Sequence, residues 1–175
     1  MVNIIEGNSM AMKFMINVLR PILKLLDFLT PIGDLAARWW VAYIFFKAGI
    51  LKIMSWETTI MLFTHEFSVP LLSPYFAAVI GTGAELILPI LLFLGLGGRI
   101  SIVIFFAYNA VAAISYPHLW TPEGAQGLAQ HINWGLLLGL LMFHGPGKLS
   151  IDYWLKKRYG HYFVNSARNT SPRSK

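Results

Sequence analysis

Residues 75–96, YFAAVIGTGAELILPILLFLGL, are long enough to cross a bilayer and carry a single charged side chain, Glu85. A hydrocarbon core about 30 Å thick takes roughly 20 helical residues. A charge at its centre costs roughly 2.5–3.5 kcal/mol even on the lenient insertion scale. Glu85 is therefore expected to be protonated, paired or turned toward a polar cavity, and it is the first candidate for function. Three further apolar runs accompany this one: residues 35–53, 100–115 and 132–143, the last extended back to about Gly127 to reach spanning length. The fourth is the weakest, and a re-entrant course is the alternative for it.

The composition agrees with that reading. Of the 175 residues 56% are hydrophobic and 13% charged, with a mean hydropathy of +0.58, well to the apolar side of soluble domains. The expected fold is all-α, an integral membrane four-helix bundle with an N-terminal amphipathic interfacial helix and a short C-terminal amphipathic helix. Three segments follow: 1–33 as the amphipathic cytoplasmic-side segment, 34–153 as the four-span membrane domain, and 154–175 as a basic cytoplasmic tail with a disordered end.

Basic residues set the orientation. Lys13, Arg20 and Lys24 precede the first span; Lys148, Lys156, Lys157, Arg158, Arg168, Arg173 and Lys175 follow the last; Arg99 marks the middle turn. The other two loops, about 54–74 and 116–130, hold no Lys or Arg but carry Glu57, Glu66, Glu123, His65 and His118. The positive-inside rule puts both termini in the cytoplasm, consistent with an even number of spans. The net charge of +6 then reflects topology and anionic lipid, not nucleic acid.

No cysteine is present, which excludes a thiol nucleophile, a CxxC shuttle, iron–sulfur ligation and disulfides. Residues 13–29 place Lys13, Asn17, Arg20, Lys24 and Asp27 on one side of a helix and apolar residues on the other, with Pro21 kinking it or starting its second part. The sequence Thr30-Pro31-Ile32-Gly33 is expected to break the chain before Asp34 caps the first span.

Within the first span a spacing of seven puts Arg38, Phe45 and Lys52 on one face, while Lys47 lies about 140° from Lys52. One of these two lysines is expected to reach Glu85, as structural glue or as part of a site. In the second span Gly81, Thr82, Glu85 and Pro89 share a side; in the third, Ser101, Phe105, Tyr108 or Asn109, and Ala112 form an inward stripe. Asn109 reads as an interhelical hydrogen-bond donor or a ligand contact. His131 is the candidate for a proton relay, and Trp134 for the interfacial belt. His65, His118, His131 and Glu66 fall on the same outer side, but their spacing matches no metal signature. His144-Gly145-Pro146-Gly147 stops the last span, and Ser150–Asp152 opens the final helix. GPG followed by Lys148 is no phosphate loop, because GxxxxGK[ST] and a preceding strand are both missing.

The phrases FFKAGILK, GTGAELILPILLFLGLGGR, QHINWGLLL and above all GPGKLSID resemble the DoxX family of small bacterial inner-membrane proteins, over about residues 34–153. The resemblance implies a four-helix membrane bundle. It also implies association with membrane oxidoreductase systems: the family name comes from a relative of a thiosulfate:quinone oxidoreductase subunit. Related members are linked to oxidative-stress defence or occur beside genes for metal-stress peptides. Lys52, Glu85, Arg99, Asn109, His131, Trp134 and Asp152 fall at matching motif positions. Lys47 stands where relatives carry a small residue, and His131 where many carry Glu.

Two functions are then open. One is a subunit of an oxidoreductase or stress-defence system with a pocket of Glu85, Lys52 or Lys47, Asn109, His131 and Trp134 that contacts quinone. The other is a non-enzymatic anchor or small exporter linked to metal or oxidative stress. Arg38, Arg99, Gly145, Pro146, Gly147 and Asp152 are assigned to structure and topology. No catalytic motif is present, no metal is indicated, and quinone is the one cofactor left open. Expected partners are the lipid bilayer and a membrane or soluble oxidoreductase, with self-association left open.

Overall fold

The computed structural model describes the backbone of residues 2–159 and the side chains of residues 16–159. The expected disordered tail end, with Arg168, Arg173 and Lys175, and the side chain of Lys13 lie outside the described residues. Among those described the fold is all-α, in the order α1 (Val2–Met54), α2 (Trp56–His65), α3 (Pro74–Leu94), α4 (Gly98–Ile114), a 3₁₀ turn (Pro117–Trp120) and α5 (Ala125–His144), with residues 151–159 helical after it. The chain forms two compact units, residues 1–33 and 34–175.

In the first unit the chain is helical, and the expected break at Thr30–Gly33 does not occur: α1 runs through Pro21 and Pro31. The Thr30 hydroxyl donates to the Leu26 carbonyl at 2.9 Å, a bond made within the helix and compatible with its continuation. Asp34 is consequently not a helix cap. Arg20, Lys24 and Asp27 are exposed, as are Ile22, Leu23, Leu26 and Phe28 around them.

In the second unit, residues 34–54 of α1 pack with α3, α4 and α5. Val41, Ala42 and Phe45 of α1, Leu92 of α3, Ile102 and Phe105 of α4, and Leu138 and Leu141 of α5 make one buried cluster. Phe45 stands at its middle, edge-on to Phe105 at 4.9 Å and to Trp134 at 5.2 Å. Small residues bring α1 and α3 together: a methyl at Gly49 would lie 3.1 Å from Glu85 Cβ.

Local chemistry explains the helix limits. Pro74 starts α3, where its missing N–H is harmless. Gly95, at φ 65°, ends it in a Schellman motif: the Gly95 N–H donates to Leu92 O at 3.1 Å and the Leu96 N–H to Leu91 O at 2.9 Å. Ser101 Oγ bonds the Leu96 carbonyl at 2.7 Å and so fastens the α3–α4 turn. The weakest expected span is one unbroken helix, α5, two residues longer at its start than the sequence reading placed it.

The stretch 54–74, read as a loop, contains α2. Trp56, Ile60 and Phe63 of this amphipathic helix pack with Ala77 and Ala78 of α3, and the buried Thr59 hydroxyl returns to the Lys52 and Ser55 carbonyls. At 10 residues it is too short to span a bilayer. Among the described residues α3 alone is long and apolar enough to cross a membrane, with a mean hydropathy of 2.1. The other three expected spans fall short for identifiable reasons. Residues 34–54 carry Arg38, Lys47 and Lys52; α4 has 17 residues; the first half of α5 contains Gln126, Gln130, His131 and Asn133.

Candidate functional site

Glu85 is buried at the centre of α3, 7% exposed, and Gly81, Thr82 and Pro89 on its face are buried with it. The lysine that meets it is Lys52. Nζ lies 2.7 Å from Oε1 and 2.5 Å from Oε2, so the ammonium spans both carboxylate oxygens. Lys47, the other candidate, is exposed on a different face of α1 and makes no hydrogen bond or ion pair among the described residues. Helical phase decides between them: Lys52 shares the inward face of Arg38 and Phe45, and Lys47 does not.

A third member joins the pair. Tyr108, on α4, directs its hydroxyl at Glu85 Oε1, 3.2 Å away, and at the Gly81 carbonyl, 3.1 Å away. One proton serves two acceptors, so this hydroxyl ties α4 to α3 at the height of the ion pair. From the sequence, Tyr108 or Asn109 is expected on the inward stripe. In fact both face inward, toward different neighbours.

Asn109 serves α5. Its Nδ2 donates to the His131 carbonyl at 3.0 Å, which fixes the amide orientation, and its Oδ1 lies 2.9 Å from His131 Nδ1. Oδ1 can only accept, so Nδ1 carries a proton. His131 stands edge-on to Trp134 at 4.9 Å and to Phe45 at 6.3 Å, and the Lys52 ammonium acts on it electrostatically. Lys52, Glu85, Asn109, His131 and Trp134 thus lie around Phe45 and Tyr108, while Lys47 stands apart.

A cavity of about 130 Å³ opens against the Lys52–Glu85–Tyr108 cluster. Phe63 of α2, Phe67, Val69 and Leu72 of the following segment, and Ala112 and Ser115 at the end of α4 line it. The Ser68 N–H donates to the Ser115 carbonyl at 2.7 Å, and Phe67 stacks on Phe63 and on Tyr116. These contacts hold the wall in place. Beyond it the Tyr116 hydroxyl donates to Glu66 at 2.9 Å; burial and that carboxylate push the Tyr116 phenol up from its ordinary pKa. His65 and His118 are exposed, and no group of three metal-ligating side chains assembles among the described residues. Tyr108→Phe should keep the fold and lower stability by about 1 kcal/mol, the net worth of one such bond, as read by detergent unfolding.

The residues assigned to topology gather at the opposite end. Arg38 is fully buried; its Nη2 donates to the Leu149 carbonyl at 2.6 Å, and Nε and Nη1 have no partner among the described residues. Gly145 and Gly147 take positive φ, 89° and 73°, and fold the chain back after α5. A methyl at Gly147 would come within 2.8 Å of Asp34 Oδ2, so only glycine lets the loop lie against α1. Ser150 Oγ accepts from the Tyr153 N–H at 3.2 Å and caps the last helical segment. The Asp152 N–H reaches the Gly95 carbonyl at 3.4 Å; Arg99 is exposed beside Gly145, and Pro146 is half-buried.

Neither the curated proteins nor the solved structures contain a match to this chain. The family model described as DoxX does match, over residues 33–118, a stretch that takes in Lys52, Glu85, Tyr108 and Asn109. The chain belongs to the DoxX family of membrane proteins.

Proposed function

We propose that this chain is a multi-pass inner-membrane subunit of an oxidoreductase or stress-defence system, and that its Lys52–Glu85–Tyr108 cavity receives a quinone-type ring. Residues 34–54, α3, α4 and α5 cross the bilayer, with Arg99, Lys148 and the termini on the cytoplasmic side. Large apolar side chains on the outer faces of these helices, among them Trp39, Phe76, Ile100, Ile104, Leu140 and Phe143, support that placement. So does the absence of Lys and Arg from the loops 55–73 and 115–124.

The cavity carries the ligand reading. Its apolar walls suit a ring, and a quinone needs an apolar slot with one or two donors for its carbonyl oxygens; Lys52 supplies one through the ammonium hydrogen that Glu85 leaves free. A bound quinone would supply two-electron, two-proton chemistry. The contribution of this chain is to hold the ring, to keep a proton on the Tyr108 hydroxyl beside the Glu85 carboxylate, and to exclude water through the Phe63–Phe67 wall. A soluble or membrane oxidoreductase partner would exchange the electrons.

A second reading rests on the closed geometry of the ion pair. With both Glu85 oxygens engaged by Lys52, the pair is also a clamp between α1 and α3, as a non-enzymatic anchor or small exporter would need.

Native mass spectrometry with quinone extraction separates the two. The proposal expects quinone to copurify with the wild type and to fall at least tenfold in Glu85→Gln and in Ala112→Leu, which fills the cavity but spares the ion pair. Quinone absent throughout, or equally retained in both variants, overturns the ring site and leaves the clamp.

A further inference from the structure

We infer that the exposed face of α1 centred on Lys47 docks a membrane-spanning helix of a different protein, one that carries a carboxylate at the depth of Lys47. The inference rests on the spanning reading of residues 34–54 given above.

Lys47 stands seven residues before the end of α1 and thirteen after Asp34, so at 1.5 Å per residue it lies about 10 Å from one end of the span and about 20 Å from the other. Helical side chains lean toward the helix N-terminus. Lys47 therefore leans away from the nearer interface, toward the longer path through lipid. Lys52 has the same lean and is satisfied by Glu85; Lys47 is exposed, with no partner among the described residues. An ammonium left there in hydrocarbon is strongly disfavoured, and a buried partner carboxylate removes that penalty.

The surroundings fit a helix better than a lipid. Trp40, Tyr43, Leu51 and Met54 lie at helical spacing along the same exposed face and form an apolar strip on either side of Lys47. Anionic lipid headgroups sit at the membrane surfaces, not at this depth. A second copy of the chain does not supply the acid either. Of the acids in residues 34–159, Asp34 and Asp152 lie at the Arg99 end and Glu57, Glu66 and Glu123 at the opposite end. Glu85 is buried against Lys52. Two copies inserted with the same orientation would therefore place Lys47 beside no carboxylate, and the partner is another protein.

The test reconstitutes the full-length protein, labelled through an engineered Glu123→Cys in this cysteine-free chain, with a synthetic polyleucine helix in lipid vesicles. That helix carries one Glu, or one Gln, at the depth of Lys47. Energy transfer is expected to report association about fivefold stronger with the Glu helix, the ratio set by one interhelical polar contact. Lys47→Leu should abolish the preference and Lys47→Arg should keep it. Equal association with both helices, or a preference that survives Lys47→Leu, overturns the inference. A Lys47→Cys variant, without the Glu123 label, is probed in parallel with a membrane-impermeant maleimide. A thiol shielded from that reagent, together with no Glu preference in the wild type, defeats the inference alone. Rapid labelling of the thiol from water overturns the spanning reading and the inference with it.

Discussion

Glu85→Leu is expected to destabilise the bundle by about 3 kcal/mol, because it leaves the Lys52 ammonium beside an apolar neighbour. Breaking one half of a buried pair costs about 3–5 kcal/mol. The lower figure applies here: Lys52 is two residues from the end of α1, and its side chain is 17% exposed, so the freed ammonium has a short route to the interface. The double variant Lys52→Met/Glu85→Leu should recover most of the loss, since removing both charges also removes their desolvation penalty. Lys47→Met, which removes no contact among the described residues, should not destabilise the isolated protein. Detergent unfolding of the four proteins tests this, and a double variant no better than Glu85→Leu would refute a stranded Lys52 charge as the source of the loss.

Gly95→Ala is the second large effect, at about 2–3 kcal/mol. Two penalties combine at this residue. Gly95 adopts φ 65°, where any Cβ is strained. An added methyl would also run into the buried Arg38 guanidinium and the Ser150 side chain. The first penalty is local to the end of α3. The second would push residues 149–152 away from α3 and loosen both the Arg38–Leu149 bond and the Asp152–Gly95 bond. Gly83→Ala is the control, because Gly83 lies within α3 with open space around its Cβ position. It should be neutral or slightly stabilising through helix propensity, so similar effects of the two substitutions would refute the packing argument.

Helices α3, α4 and α5 carried their own signals, with limits near the expected ones because Pro74, Gly95, Gly97 and Gly145 punctuate apolar runs whatever surrounds them. Two local expectations failed. Thr30–Gly33 has the composition of a break yet lies inside α1, which runs on through Pro31. Helix α2 replaces an expected loop, because its buried face is defined only by Ala77 and Ala78 of α3.

The sequence by itself determined an apolar, all-helical, cysteine-free membrane protein with a single acid inside its most hydrophobic stretch. Those properties follow from composition and from periodicity along one helix. Only the tertiary structure decided that Lys52 rather than Lys47 meets Glu85, that Tyr108 is the third member of the cluster, and that Asn109 turns instead to His131. Each choice depends on how three or four helices rotate about their axes when packed, and a rotation of 100° per residue moves a side chain from core to surface. Tyr108 and Asn109 are adjacent in the chain and serve different clusters for that reason alone.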